Sequence, residues 1–341
     1  VSRDPLSGFA PPVREWFGAS FAEPTSAQRK GWPPILAGES TLLLAPTGSG
    51  KTLAAFLAGI DRLMFSPEPP KKERTRILYV SPLKALAVDV ERNLRAPIAG
   101  VAATAERLGV PFRLPTVAIR SGDTPQAERA RIARTPPDIL ITTPESLYLL
   151  LTSRAREIFA SLETVIVDEI HAIAATKRGA HLFVSLERVE ALREGKRPLQ
   201  RIGLSATQRP LEEIARLLGG GEPSDRAAAR KDSWKPRPVT IADAGSRKAF
   251  AITVEVPVED MARLGEPVEF RSGPAARADG RTSIWPAIHP RLLELVRQHR
   301  STLIFVNSRR LAERIANAVN ELAGEELAHA HHGSIAREQR L

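Results

Sequence analysis

Ala45-Pro46-Thr47-Gly48-Ser49-Gly50-Lys51-Thr52 is the stretch whose residue types and spacing most directly specify chemistry. Gly48 and Gly50 permit a turn in which successive backbone N–H groups face one anion. Pro46, Thr47 and Ser49 complete the cradle. Lys51 can reach the β- and γ-phosphates of a nucleotide, and the Thr52 hydroxyl can ligate Mg²⁺. Ala45 stands where the usual pattern has its first glycine, and it is small enough to keep the turn. Such a loop needs a strand before it and a helix after it. Thr41-Leu42-Leu43-Leu44 reads as a buried parallel strand, and Leu53-Ala54-Ala55-Phe56-Leu57-Ala58 as a helix. The positive end of that helix adds to anion binding.

A phosphate loop requires a second, acidic strand end to complete its metal site. Thr164-Val165-Ile166-Val167-Asp168-Glu169 supplies one. Asp168 would hold Mg²⁺, and Glu169 would polarise the attacking water as general base. His171 is open to two readings: a structural or surface histidine, or a bridge from the nucleotide to the hydroxyls of Ser205-Ala206-Thr207. Upstream lies Phe21-Ala22-Glu23-Pro24-Thr25-Ser26-Ala27-Gln28. The Gln28 amide suits the edge of adenine, and Phe21 could stack on the base. The Pro24-Thr25 to Gln28 spacing is also an ordinary helix start.

Stepping outward, apolar runs at Ile77–Val80, Thr116–Ile119, Ile139–Thr142, Thr164–Asp168 and Arg201–Leu204 alternate with helical patterns. Those patterns fall at Leu83–Leu94, Ala99–Leu108, Gln126–Ala133, Leu147–Leu150 and Ala180–Arg193. This alternation predicts an α/β fold: a parallel sheet flanked by helices, with ligands at the carboxyl ends of the strands. Three polar motifs fall at such ends: Ser81-Pro82-Leu83-Lys84, Ser121-Gly122-Asp123 and Thr142-Thr143-Pro144-Glu145. Ser, Thr, Gly and backbone N–H groups there can bind phosphates without reading bases, with Lys84, Arg120 and Arg309 adding charge. The last motif is equally a helix start.

Residues 1–40 read as short helices and turns, and 41–225 as the first domain. Residues 226–341 read as a linker and a smaller α/β part, with strands at Val239–Ala242, Ala251–Val256 and Leu303–Val306. Helices are expected there at Leu292–His299 and Arg310–Leu322, and a loop or insertion over Glu259–Arg281. The 341 residues carry a net charge of +10, which favours a polyanionic partner. With no cysteine, disulfides and zinc-thiolate sites are excluded. No run has the length and apolarity of a membrane span, and Val1-Ser2-Arg3-Asp4-Pro5 lacks a signal-peptide core. A soluble, cytoplasmic monomer with no membrane partner is expected.

Together these residues resemble the superfamily 2 helicases, P-loop motors with two RecA-like lobes. Phe21–Gln28 is similar to their Q motif, Ala45–Thr52 to motif I, Asp168–His171 to motif II in its Asp-Glu-x-His form, and Ser205–Thr207 to motif III. Ser81–Ala87, Ser121–Asp123 and Thr143–Leu147 resemble the strand-gripping motifs of the first lobe. Ser283-Ile284-Trp285-Pro286, Leu303–Arg310 with Asn307, Ser308 and Arg309, and Ala330-His331-His332-Gly333-Ser334 resemble the large helicase-related (Lhr) group. The resemblance implies ATP and Mg²⁺ as cofactors and 3′-to-5′ translocation on single-stranded DNA. It further implies unwinding of DNA or RNA–DNA duplexes in DNA repair, and a second, incomplete RecA-like lobe. An RNA helicase of the same superfamily and a non-catalytic nucleic-acid-binding fragment are the alternatives. The late Gln-x-x-Gly-Arg-x-x-Arg element of such motors does not occur before Leu341, nor does the motif V preceding it. Arginine fingers contribute orders of magnitude in rate. The chain therefore reads as the N-terminal portion of a longer parent, expected to bind ATP and hydrolyse it slowly.

Overall fold

The apolar runs of the first half are strands, uninterrupted in their apolarity because helices cover both faces of the sheet they build. A computed structural model describes residues 4–193, 197–206, 210–223, 234–245, 251–256 and 284–331, with Lys84, Ala85, Pro223 and Pro286 described by backbone alone. They form two compact units, Val1–Lys248 and Ala249–Leu341.

The first unit opens with helices α1 (Pro11–Ser20) and α2 (Ser26–Leu36), followed by β1 (Thr41–Leu44) and α3 (Lys51–Phe65). Next come β2 (Ile77–Val80), α4 (Lys84–Arg107), β3 (Val117–Arg120), α5 (Gln126–Arg134), β4 (Ile139–Thr142) and α6 (Pro144–Leu151). The unit continues through β5 (Thr164–Val167), α7 (Ile170–Ala174), α8 (Lys177–Ala191), β6 (Gln200–Ser205) and α9 (Leu211–Gly219). It ends with β7 (Gly221–Pro223), β8 (Trp234–Pro236) and β9 (Thr240–Asp243). Seven strands form one sheet in the order β3-β4-β2-β5-β6-β1-β9, with every pairing parallel. β7 and β8 form a separate antiparallel pair.

Alternate strand residues feed two cores, as the two-residue period of a strand requires. Leu43, Tyr79, Ile141 and Ile166 pack with Trp32, Phe56, Leu57 and Val101 on one face. Leu42, Leu78, Leu140 and Val165 pack with Leu147, Leu182, Leu186 and Leu218 on the other.

Three sequence expectations are corrected. The two helices expected at Leu83–Leu94 and Ala99–Leu108 are one helix, α4, running through Pro97. An internal proline costs about 3 kcal/mol. The buried stripe Val90, Leu94, Ile98, Val101 and Ala105 offsets it by keeping one face on the core. Second, the strand at Val239–Ala242, assigned to the second domain, is β9 and pairs with β1 from Thr41↔Thr240 to Leu44↔Asp243. Without it the phosphate-loop strand would be a sheet edge with unpaired backbone groups. The first unit therefore extends to Lys248 rather than ending at 225.

Third, among the described residues Ala251–Val256 and Leu303–Val306 join no strand ladder. A strand needs a hydrogen-bonded neighbour, which local apolar alternation cannot guarantee. The described part of the second unit contains α10 (Trp285–Gln298) and α11 (Arg309–Ala323). Their contact includes Arg314 over the Trp285 ring at 5.8 Å, and α11 buries Ile315, Ala316 and Val319. Glu259–Arg281, Thr207, His332 and Gly333 lie outside the described residues.

Candidate nucleotide site and strand-end edge

The phosphate loop is built from the backbone upward. Gly48 and Gly50 adopt φ of +77° and +79°, the left-handed region that favours glycine. Gly50 caps α3, so the first N–H groups of that helix open toward the loop. The loop is fastened from inside and from α2. Ser49 Oγ donates to Pro46 O at 2.6 Å, and Thr25 Oγ1 donates to Ser49 O at 2.7 Å. Thr25 is also the N-cap of α2, where its hydroxyl accepts from Gln28 N and Gln28 Oε1 accepts from Thr25 N. The expected adenine reader thus commits its carbonyl oxygen to a capping box and is only 3% exposed. A Cβ built on Gly50 would lie 2.9 Å from Gln28 Nε2, so the Gln28 amide sits directly against the loop. Phe21 is half-exposed and packs against Phe17 and Trp16, with ring centroids at 4.8 and 5.8 Å.

Lys51 is buried and its ammonium donates to Ala45 O. Burial draws its pKa below the ordinary lysine value, opposed by the negative charges of Glu169 and Asp168. Those carboxylates come from the end of β5, two strands from β1 in the sheet. Asp168 is fixed on both oxygens: Oδ1 accepts from Glu169 N at 2.9 Å, and Oδ2 accepts from the Tyr79 hydroxyl. Burial and the neighbouring Asp168 carboxylate push the Tyr79 phenol far above its ordinary range, so it stays a donor. Glu169 has φ +45° and ψ +42°, the one positive φ outside glycine among the described residues. Such a conformation costs about 1–3 kcal/mol and concentrates at functional sites.

His171 Nδ1 lies 3.2 Å from Glu169 Oε2, 3.4 Å from Ser205 Oγ and 3.5 Å from Ala206 N. One ring nitrogen cannot donate to Glu169 and accept from Ala206 N–H at once. The ring therefore has alternative partners, Glu169 on one side and the Ser205–Ala206 turn on the other.

Thr52 and Asp168 offer hard oxygen donors, which fit Mg²⁺. That ion keeps several waters and takes one or two protein oxygens plus substrate phosphates. No group of three or more His, Cys, Asp or Glu side chains able to hold a metal ion occurs among the described residues.

The parallel sheet brings the remaining first-lobe motifs to the same edge, at the ends of β2, β3 and β4. Their side chains, however, largely face inward. Ser81 and Thr143 are buried, with Ser81 Oγ donating to Leu83 O and Thr143 capping α6 at Ser146. Arg120 is buried and donates to Ser121 O at 2.8 Å, so it adds little accessible charge to the edge. Ser121 is buried too, while Gly122 and Glu145 are exposed. Pro144 opens α6 at its first turn, where its missing N–H is not needed. Asn307, Ser308 and Arg309 open α11 in the second unit, where Ser308 Oγ accepts from Leu311 N. The Lys84 side chain is outside the described residues.

Three residues that the sequence did not single out organise this edge. Arg178 donates to Pro82 O at 2.7 Å and pairs with Glu145, tying the ends of β2 and β4 together. Arg129 clamps the β3 turn through Thr124 O at 2.7 Å and Gly122 O at 2.8 Å. The third is Tyr79, whose one sequence signal was a hydroxyl inside an otherwise aliphatic strand.

Residues 25–214 match the family of DEAD/DEAH box helicases. The chain is 47% identical to the "Lhr helicase/ probable uracil glycosylase" of Mycolicibacterium smegmatis over 99% of this chain and 22% of that protein. It is 42% identical to the Lhr helicase/uracil glycosylase of Escherichia coli, over 97% of this chain and 23% of that one. It thus spans roughly a fifth of the length of these curated relatives. The structure of Mycobacterium smegmatis helicase Lhr bound to ssDNA and AMP-PNP superposes with a TM-score of 0.77 at 50% identity. That match covers 99% of this chain and 40% of the other.

Proposed function

The chain belongs to the DEAD/DEAH box helicase family, and from that premise we propose that it supplies the ATP-binding part of an Lhr-type helicase. Such an enzyme would move 3′-to-5′ along single-stranded DNA and open DNA or RNA–DNA duplexes in DNA repair. The observation that carries this reading is the convergence of Lys51, Asp168 and Glu169 from two strand ends, with His171 connecting Glu169 to Ser205. The relative solved with ssDNA and AMP-PNP supports it at 50% identity.

In this reading the loop N–H groups and Lys51 hold the β- and γ-phosphates of ATP. Thr52 and Asp168 would hold Mg²⁺, which would offset phosphate charge. Glu169 accepts a proton from the attacking water. The exchange of His171 between Glu169 and the Ser205–Ala206 turn transmits nucleotide state to the end of β6. At the β2–β4 edge, backbone groups and exposed Gly122 would meet phosphates, held in register by Arg178 and Arg129. Contact through the backbone reads no bases, which suits movement along any sequence.

The test is Glu169→Gln. A fluorescent ATP analogue should still bind, while single-strand-stimulated hydrolysis by the Lhr-type enzyme should fall at least about a hundredfold, the scale of general-base catalysis. Undiminished hydrolysis removes Glu169 from the role of base. Single-stranded DNA and RNA of one sequence, compared as stimulators, decide between a DNA and an RNA motor.

A further inference from the structure

The carboxyl ends of the strands carry the phosphate loop, the Asp168–His171 strand end and the motifs after β2, β3 and β4. Their amino ends carry a cavity of about 830 Å³ that none of those motifs uses. It opens where β2, β5 and β6 begin, beside the last turn of α3 and the residues following α8. Arg62, Arg76, Arg193 and Arg197 line it, against the carboxylates of Glu73 and Glu163.

Among the described residues, four guanidiniums and two carboxylates line this cavity. Arg76 is matched by Glu163, with Nε 2.6 Å from Oε1. Arg62 donates its hydrogen bonds to neutral oxygens, Thr164 Oγ1 at 3.0 Å and Gln200 Oε1 at 3.2 Å, while Glu163 and Asp61 act on it through space. The Arg193 side chain is 4% exposed, and its Nε has no hydrogen-bond partner. Glu190 reaches Arg193 only at 3.5 Å, while also accepting from Arg201 at 3.2 Å and from Leu199 N at 3.1 Å. Burial lowers the pKa of both Arg62 and Arg193, which marks two desolvated cations on one cavity.

A buried guanidinium with an unmet hydrogen bond is costly, and a desolvated guanidinium binds an oxyanion strongly and bidentately. We propose that this cavity is a second anion site, built for a phosphate-class ligand and separate from the phosphate loop. A four-residue strand at roughly 3.3 Å per residue sets the two sites about 13 Å or more apart. Free polyphosphate and the terminal phosphate of a nucleic-acid strand share the required chemistry.

The test titrates pyrophosphate into the 341-residue chain carrying Lys51→Ala, which disables the phosphate loop. Saturable binding should remain, and adding Arg62→Gln with Arg193→Met should weaken it about tenfold or more, the loss of one to two charge-assisted contacts. Arg197→Ala lies at the surface and should weaken binding measurably with an unchanged melting temperature, so the test holds even where the buried variants fail to fold. A 5′-phosphorylated oligonucleotide that outcompetes pyrophosphate better than its 5′-hydroxyl twin assigns the site to strand ends. Equal competition by the twins, with pyrophosphate still bound, assigns it to free polyphosphate. Absence of pyrophosphate binding in the Lys51→Ala chain overturns the proposal. Binding indifferent to Arg197→Ala and to the buried arginine pair does the same.

Discussion

The Tyr79 hydroxyl donates to Asp168 Oδ2, joining β2, which leads into Ser81 and Pro82, to the carboxylate proposed to hold Mg²⁺. The Tyr79 ring also packs on Phe56 of α3, with centroids 5.3 Å apart. One buried side chain thereby touches the helix behind the phosphate loop, the acidic strand end and the strand leading to the β2 edge. Tyr79→Phe keeps the ring and removes the donor. A hydrogen bond to a charged group contributes about 1.5–3 kcal/mol, so the Mg²⁺ concentration for half-maximal ATP-analogue binding should rise roughly tenfold or more. An unchanged Mg²⁺ dependence would show that Asp168 needs no such hold.

The left-handed Glu169 makes a stability prediction independent of activity. Glycine accepts φ +45° freely, and a β-branched residue resists it. Glu169→Gly should leave the melting temperature nearly unchanged while abolishing hydrolysis. Glu169→Val should destabilise by a further 1–2 kcal/mol, roughly, in denaturant titration. Equal stabilities would mean the backbone there is unstrained.

Thr25 couples the α2 cap to the phosphate loop through Ser49 O. Thr25→Val removes the cap and the tether together, and a lost N-cap costs about 1 kcal/mol. Nucleotide affinity should fall with stability, and Gln28→Ala should give the same pairing of effects. Thermal melts with and without an ATP analogue separate the two: loss of affinity at unchanged stability would return Gln28 to pure base recognition.

Glu187 makes a pH prediction. Burial alone would raise its pKa, but the guanidiniums of Arg237 and Arg201 overcome it and hold the carboxyl below its ordinary 4.5. They approach Glu187 Oε1 at 2.9 and 2.7 Å. A carboxyl with a depressed folded-state pKa contributes stability that is present above 4.5 and lost as pH falls through the folded value. Glu187→Gln should therefore be less stable near neutrality and should flatten the loss of stability below pH 4.5, measured by chemical denaturation across pH. A parallel acid profile would exclude the network as its source.

Much of this molecule is local information. Ala45–Thr52, the Asp168–Glu169 strand end and the apolar runs are legible because a glycine turn, a strand period and a helix start depend on neighbouring residues. The alternation of strands and helices predicted a parallel sheet with ligands at one edge, and the sheet and its helices are there. No helix among the described residues is long and apolar enough to cross a membrane, in line with the hydropathy of the sequence.

What the sequence could not supply is pairing across distance. β9 joins β1 over nearly two hundred residues because an open sheet edge recruits whatever segment can complete its hydrogen bonds. Arg178 reaches Glu145 and Pro82, and Tyr79 reaches Asp168, through contacts that leave no spacing pattern in the chain. Burial is equally non-local: Ser81, Arg120 and Thr143 stand at the predicted strand ends, yet only packing turned their side chains inward. The sequence by itself determined which residues could do the chemistry of a phosphate loop and its acidic partner. The tertiary structure alone decided which of them face a ligand and which hold the others in place, because burial and long-range hydrogen bonding depend on the whole chain.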